Sequence, residues 1–532
     1  MDPKQFTRFA VLLLIVFLGL YLGWRWGSGS KSPEIALKIP NFEKSPEKSG
    51  KAEIPRTTPM ADWGDRPIRY PDGAVQGEIL FTFNDESSYR KYLWAMEQAG
   101  LQPLGQIDTL RILRLKTSVL SQLKIPFESI DFGFNYRVSQ PAPPIEALPE
   151  GLFAPAFYNQ TAAQITKSLE GDGSGVLVAV LDSGLFPHTD FEDVAVEELV
   201  LTGGQADDPG AEHGTSVASI ISGSNGVAPA SSLFIVRVLG EEGEGHSFHV
   251  AEGIIHAVDR GAKILNMSLG LYEDSALLRH AVQYAHNQGV LMVAAAGNDR
   301  YTQLSYPAAY AEVLSVTAVD ARHQQAGFPN QSAEIDFAAP GVGIVAATEE
   351  GKSGQFTGTS AAAPFVSGTL AALLSKGDLL SPDQAVAQLE QSLNEAGALG
   401  DDPLYGGGWI DWERLSETEA ERPDIALADI YFPPEASPGT NVSVDIVIQN
   451  RGNRWLSGGE LVVQLSDSPD RQTFALRSTQ PGEAFSQKIY VQVPPAQLLE
   501  KIRVTAMVQT DDAVADVVPD NNFKIVEFGA TP

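Results

Sequence analysis

Residues 175–184 read GVLVAVLDSG. Six consecutive apolar side chains, Val176 to Leu181, end on Asp182 and two turn formers. A short apolar run without polar alternation predicts a strand covered on both faces, as in a parallel sheet. The pattern returns at Leu233–Leu239, Ala262–Met267, Val290–Ala296 and Val313–Val319. Helical periodicity lies between these runs. Val250, Ile254, Ile255 and Val258 share one face of Phe248–Arg260. Leu277, Leu278, Ala281, Val282 and Ala285 share one face of Ser275–Asn287. Strand–helix alternation predicts an α/β fold with a doubly wound, mainly parallel sheet. Its ligand site then lies at the carboxyl ends of the strands.

Four polar residues fall at such ends or at helix starts. Asp182 closes the first strand, His213 opens the small-residue helix EHGTSVASII, and Asn298 follows the strand VAAAGN. Ser360 precedes the helical run of FTGTSAAAPFVSGTLAALLSK and is expected to cap it. Pro364 costs little so early, since its missing N–H would reach only the Ser360 carbonyl. Singly, such residues are usually turn formers, surface groups or caps. Together they offer a nucleophile, a base, an acid to orient the base and an oxyanion donor.

Eight stretches in order carry a resemblance: VAVLDSG, EHGTSVASI, GVAPASSLFIVRVL, ILNMSLG, VAAAGN, YPAAY, FAAPG and GTSAAAP. Residues 175–415 resemble the catalytic domain of a subtilisin-like serine protease. The resemblance implies Asp182 as acid, His213 as base, Ser360 as nucleophile and Asn298 as oxyanion donor. It implies that Ser268, Leu269 and Gly270 pair with an extended substrate. Ala295, Ala296 and Gly297 would form one wall of the primary pocket, which Ser305 narrows. Glu241, Glu242 and Glu244 follow VRVL, bordering subsites upstream of the scissile bond, where they suggest a preference for basic residues. Three positions depart from the pattern: Ser216 and Phe365 replace histidines and Ala361 replaces a methionine, none of them in the triad. No cofactor is expected for catalysis. Structural calcium is common in the family, yet Asp207, Asp208, Glu212 and Asp299 show no ligand spacing that locates a site.

The remaining chain is read around this centre. Its 532 residues carry 67 acidic against 37 basic side chains, a formal charge of −30, which disfavours nucleic-acid partners. The absence of cysteine excludes disulfides, cysteine nucleophiles and thiolate metal sites. Residues 1–26 read as a cytosolic stub and transmembrane signal-anchor, with the uncharged run Phe9–Trp24 as the membrane segment. Residues 27–76 read as a proline-rich tether. Residues 77–140 have a βαβαβ pattern and resemble a subtilisin propeptide, which implies an intramolecular inhibitor, with a cut expected near Val138–Pro149. Residues 141–174 join it to the catalytic domain at 175–416, and 417–423 form a linker. From 424 to 532 the period becomes two, and seven strands predict an immunoglobulin-like β-sandwich. PDIALADIYF, QNRGN and DVVPDNNFKIVEF resemble a bacterial CARDB-type module.

The function expected is an exported, membrane-anchored serine endopeptidase acting on proteins or peptides and made as a zymogen. The catalytic domain would stand outside the cytoplasm, held at the membrane or released by processing. The alternative is a surface-binding protein whose sandwich carries the function and whose protease only processes its own chain.

Overall fold

The computed structural model describes residues 68–528 apart from 123–129, 143–156, 204, 206–207, 209, 377–379, 417–420, 434–438, 467–469, 494–500 and 512–515. The run Phe9–Trp24 and most of the tether therefore lie outside the described residues. Among the described residues no helix is long and apolar enough to cross a membrane.

The first strands are β1 (Glu78–Phe83), β2 (Gly105–Ile107), β3 (Ile112–Lys116) and β4 (Ile130–Gly133), with helix α1 (Glu86–Gln98) between β1 and β2. They form one antiparallel sheet in the order β2-β3-β1-β4. The sequence pattern missed β2, whose three residues carry too little alternation to register. Asp85 caps α1 by accepting from Ser88 N at 2.8 Å. Alternation along β1 divides its side chains. Ile79, Phe81 and Phe83 pack with Tyr89, Tyr92 and Met96 of α1. Leu80, with Ile107 and Ile112, faces the other way into a core shared with the catalytic domain.

A short strand β5 (Arg137–Ser139) follows, then helix α2 (Ala162–Ile165). The large sheet takes β6 (Leu177–Asp182), β7 (Val196–Val200), β8 (Ser232–Arg237), β10 (Ile264–Met267), β11 (Leu291–Ala295), β12 (Leu314–Val319), β13 (Phe337–Pro340), β16 (Leu393–Asn394) and β17 (Trp409–Ile410). Its order is β16-β17-β13-β12-β11-β10-β6-β8-β7, and every pair except β16–β17 is parallel. β9 (Glu244–His246) pairs with β5, and β14 (Ile344–Ala347) with β15 (Ser353–Phe356). Val178 and Val180 point to the face covered by α3 (Glu212–Ile221) and α6 (Thr359–Leu374). Ala179 and Leu181 point to α4 (Ser247–Asp259) and α5 (Ala276–Asn287) on the other face. Both faces are covered, hence the unbroken apolar run.

The chain closes with α7 (Pro382–Gln391), α8 (Trp412–Leu415) and seven further strands: β18 (Ile425–Tyr431), β19 (Asn441–Asn450), β20 (Gly459–Leu465), β21 (Arg471–Leu476), β22 (Ala484–Gln492), β23 (Ile502–Thr510) and β24 (Phe523–Phe528). Two antiparallel sheets, β18-β19-β22 and β21-β20-β23-β24, share one apolar core. This unit is bolted to the β16 edge. Gln449 accepts from Glu395 N at 2.9 Å and donates to Leu393 O at 3.1 Å. Arg451 donates to Glu395 O at 3.1 Å and lies over the Trp409 ring, on which His323 stacks at 3.7 Å.

Candidate active site

The first two motifs interlock through glycine. Gly214 donates to Ser183 Oγ at 3.1 Å, and a Cβ on Gly214 would stand 2.3 Å from the Gly184 carbonyl oxygen. Thr215 Oγ1 accepts from Phe186 N and donates to Ala211 O, both at 2.8 Å. This packing fixes His213 against Asp182, whose Oδ1 lies 2.8 Å from His213 Nδ1. Ser183 N also donates to that oxygen at 2.7 Å. Asp182 is fully buried, and the edge of the His213 ring meets Phe356 with centroids 5.3 Å apart. Ser360 Oγ and His213 Nε2 are buried atoms without a hydrogen-bond partner among the described residues. Catalytic hydrogen bonds of this kind commonly tighten only with substrate.

Ser360 does not cap its helix, contrary to the sequence expectation. The cap is Gly358, at φ 147°, and Ser360 is the second helical residue. Glycine is required twice over, because a Cβ there would stand 3.0 Å from Asn298 Nδ2. The shift places the Ser360 N–H among the donors that a helix start leaves free. The Ser360 carbonyl, left without its helical partner by Pro364, accepts from Ser268 Oγ at 3.2 Å. Ser268 is held in turn by Asn266 Nδ2 at 3.1 Å, and Asn266 Oδ1 by Ser367 Oγ at 2.8 Å.

Asn298 is aimed by Thr359. Its Oδ1 accepts from Thr359 N at 3.0 Å and Thr359 Oγ1 at 2.9 Å, which leaves Nδ2 pointing outward. The wall Ala295–Gly297 is buttressed by Asn330, which donates to Ala296 O at 3.0 Å and accepts from Asp299 N and Tyr301 N. Ser305 is buried between the two walls. Its Oγ donates to Ala296 O at 3.3 Å and would meet a Cβ on Gly270 at 2.6 Å. Leu269 is buried behind Gly270. Of the departures from the family pattern, Ser216 donates to Ala347 O at 2.8 Å, Phe365 packs on Trp412, and Ala361 is fully buried.

A peptide already lies in this groove. Arg137, Val138 and Ser139 pair antiparallel with His246, Gly245 and Glu244. On the other side Ser139 N donates to Gly270 O at 3.0 Å, and Gly270 N to Ser139 O at 2.8 Å. Gln140 N donates to Gly243 O at 3.0 Å, and the Val138 side chain is 1% exposed. The strand ends at the chemistry: Asn298 Nδ2 donates to the Ala142 carbonyl oxygen at 3.0 Å. Glu241, Glu242 and Glu244 are exposed, and Glu244 meets the strand through its backbone.

The carboxylates considered for calcium do not converge. Asp207 lies outside the described residues. Asp208 Oδ2 accepts from Gln205 N, and the buried Arg237 donates to the Gln205 and Asp208 carbonyls at 2.9 and 3.1 Å. Glu212 starts α3, and Asp299 accepts from the Tyr272 hydroxyl. No group of three or more His, Asp or Glu among the described residues could hold a metal ion.

Sequence reasoning missed Thr359, Asn266, Ser367 and Asn330, which act on the site through other residues. It also missed Ala142. Only Pro364, by orphaning a carbonyl, signalled that some donor had to exist.

Known proteins are similar to this chain in sequence. The family model described as the subtilase family matches residues 173–408. Subtilisin BL of Lederbergia lenta is 37% identical over 248 residues, 45% of this chain and 90% of that protein. An alkaline protease of Shouchella clausii is 32% identical over 329 residues, 60% of this chain and 82% of that protein. The minor extracellular protease Epr of Bacillus subtilis is 32% identical over 282 residues, 52% of this chain and 42% of that protein.

Proposed function

The chain belongs to the subtilase family and is a subtilisin-like serine endopeptidase; from that premise we propose that it is exported, anchored by residues 9–24 and made as a zymogen inhibited by its own 77–140 domain. Ser360 Oγ attacks the peptide carbonyl as His213 Nε2 takes its proton, which then passes to the leaving amine. Asp182 holds the His213 tautomer and stabilises the imidazolium. Asn298 Nδ2 and the Ser360 N–H stabilise the oxyanion. No metal is needed for these steps.

The observation that carries the reading is the Ala142 carbonyl on Asn298 Nδ2, at the end of a strand paired on both edges. The groove accepts an extended peptide, and here it holds one from the same chain. Ser305, buried between the Ala295–Gly297 wall and Gly270, supports a preference for small side chains before the scissile bond. Export is supported by the apolar run near the N-terminus and by an extracellular relative. A CARDB-like role for residues 424–532 rests on sequence resemblance, and we propose that the sandwich braces the β16 edge.

The test is a fluorophosphonate probe on the full chain and on Val138→Asp, which places a carboxylate in the buried strand position. Faster labelling of Val138→Asp supports inhibition by the strand. Equal labelling refutes it.

A further inference from the structure

The strand in the groove is held before it reaches the catalytic walls. From Asn135 to Gln140 its backbone groups alternate between two edges. Tyr136 O and Gln140 N face one edge, where Ser247 N donates at 2.8 Å and Gly243 O accepts at 3.0 Å. Asn135 O, Arg137 N and both groups of Ser139 face the other edge, and there Gly270 serves Ser139. The partners of the first two come from upstream of the inhibitory domain. Arg137 N donates to Gly73 O at 3.0 Å, and Asn135 O accepts from Val75 N at 2.7 Å. Ala74 lies opposite Tyr136 in this antiparallel bridge. Residues 73–75 thus line up with Gly270 along one edge of the strand. Gly73 also meets the protease, since a Cβ there would stand 2.7 Å from Glu273 Oε1.

We propose that residues 70–75 are part of the lock on the active site, and that drawing them off the strand from the N-terminal side loosens its hold on the groove. The proposal rests on the inhibitory reading above and adds to it the segment through which the lock is opened.

The geometry suits release by peeling. The bridge is antiparallel, so a chain drawn away toward its N-terminus loads the Gly73–Arg137 bond first and the Val75–Asn135 bond second. Bonds loaded in turn yield more readily than bonds loaded together. The Tyr70 ring, 5.6 Å from that of Phe134, leaves with the same segment. The load then stops, because Gly77 O is held by Thr117 N at 2.9 Å and β1 enters its sheet at Glu78. The sheet of the inhibitory domain therefore stays whole while the groove strand loses half of one edge. Asn135 is fully buried, so its carbonyl has no ready substitute for Val75 N.

The experiment measures fluorophosphonate labelling and hydrogen exchange on the full chain, Val75→Pro, Val75→Ala, Gly73→Val and Val138→Asp. Val75→Pro removes the N–H given to Asn135 O, and Val75→Ala keeps it. Gly73→Val puts a branched side chain at φ 74° and against Glu273. The expected result is labelling roughly fivefold faster than the parent in Val75→Pro and in Gly73→Val, the shift that one lost backbone bond makes in an opening equilibrium. Val75→Ala labels at the parent rate, and Val138→Asp labels fastest. Exchange at residues 135–139 quickens in Val75→Pro and Gly73→Val while that of β6 holds, which shows the protease still folded. Parent-rate labelling in both variants, or unchanged exchange at 135–139 in both, overturns the proposal, as does equal acceleration in Val75→Ala. Failure of the inhibitory reading shows separately, as Val138→Asp labelling no faster than the parent chain.

Discussion

Acidification from pH 8 to pH 5 is expected to open the groove about 30-fold. The reason lies where α4 meets the first sheet. His249 Nε2 is 3.3 Å from Arg114 Nη1, and Arg114 is held by two 2.8 Å bonds to Glu78. Burial, then the Arg114 charge, then His246 push His249 down to about 4. Arg114 and Glu78 belong to the domain of residues 77–140, so a His249 freed of that domain is expected to return toward the ordinary imidazole value of ~6.5. Docking thus lowers a histidine pKa and releases a proton. Docking is at full strength above the undocked value and weakens as pH falls toward the docked one. At pH 5 the undocked ring is ~97% protonated and the docked ring ~10%, which sets the factor. Arg137 and Glu244 act on His246, and Glu252 lies three residues on from His249 along α4. His246 is lowered by burial and adds to the effect, while Glu252 is raised by burial and opposes it. The assay is the fluorophosphonate labelling rate of the full chain divided by that of Val138→Asp, which cancels any pH dependence of the labelling chemistry itself. A ratio that stays flat from pH 8 to pH 5, or rises equally in His249→Gln, refutes the reasoning.

Three further outcomes are expected. Asn298→Ala lowers kcat by ~10²–10³ on a peptide substrate, the scale known for removing one such donor in this same protease family, and costs about 1–3 kcal/mol in calorimetry because Thr359 N and Oγ1 lose their acceptor. Ser305→Gly deepens the primary pocket and raises kcat/KM for large side chains relative to alanine by about tenfold in a peptide series. Arg451→Ala leaves the Glu395 carbonyl without its donor and Trp409 without its cation, costing ~2–4 kcal/mol in denaturant unfolding and exposing the 417–423 linker to limited proteolysis.

Strands buried on both faces and the seven alternating strands after residue 424 were legible because their periodicity is local. The same holds for the ordered motifs, whose glycines answer to close approaches such as Gly214 on Gly184. The helix start at Ser360 was misplaced by two residues, because glycine's freedom at positive φ outweighed serine's capping preference. Pro364 announced an orphaned carbonyl, but its donor, Ser268, comes from a distant strand. The register of residues 137–142 could not be read locally. It is set by two separate strands and by the pocket that buries Val138. The same limit hid Gln449 and Arg451, which look like ordinary polar residues in a strand end and turn their functional atoms to another domain.

The central claim is that Ser360, Asp182 and His213 form the working site and that Asn298 holds the chain's own Ala142 in it. Its most direct measurement is fluorophosphonate labelling of Val138→Asp, alone and combined with Ser360→Ala. The account predicts rapid stoichiometric labelling on Ser360 in the first, located by peptide mass, and none in the second. Labelling that survives the loss of Ser360, or no labelling in either, would contradict it.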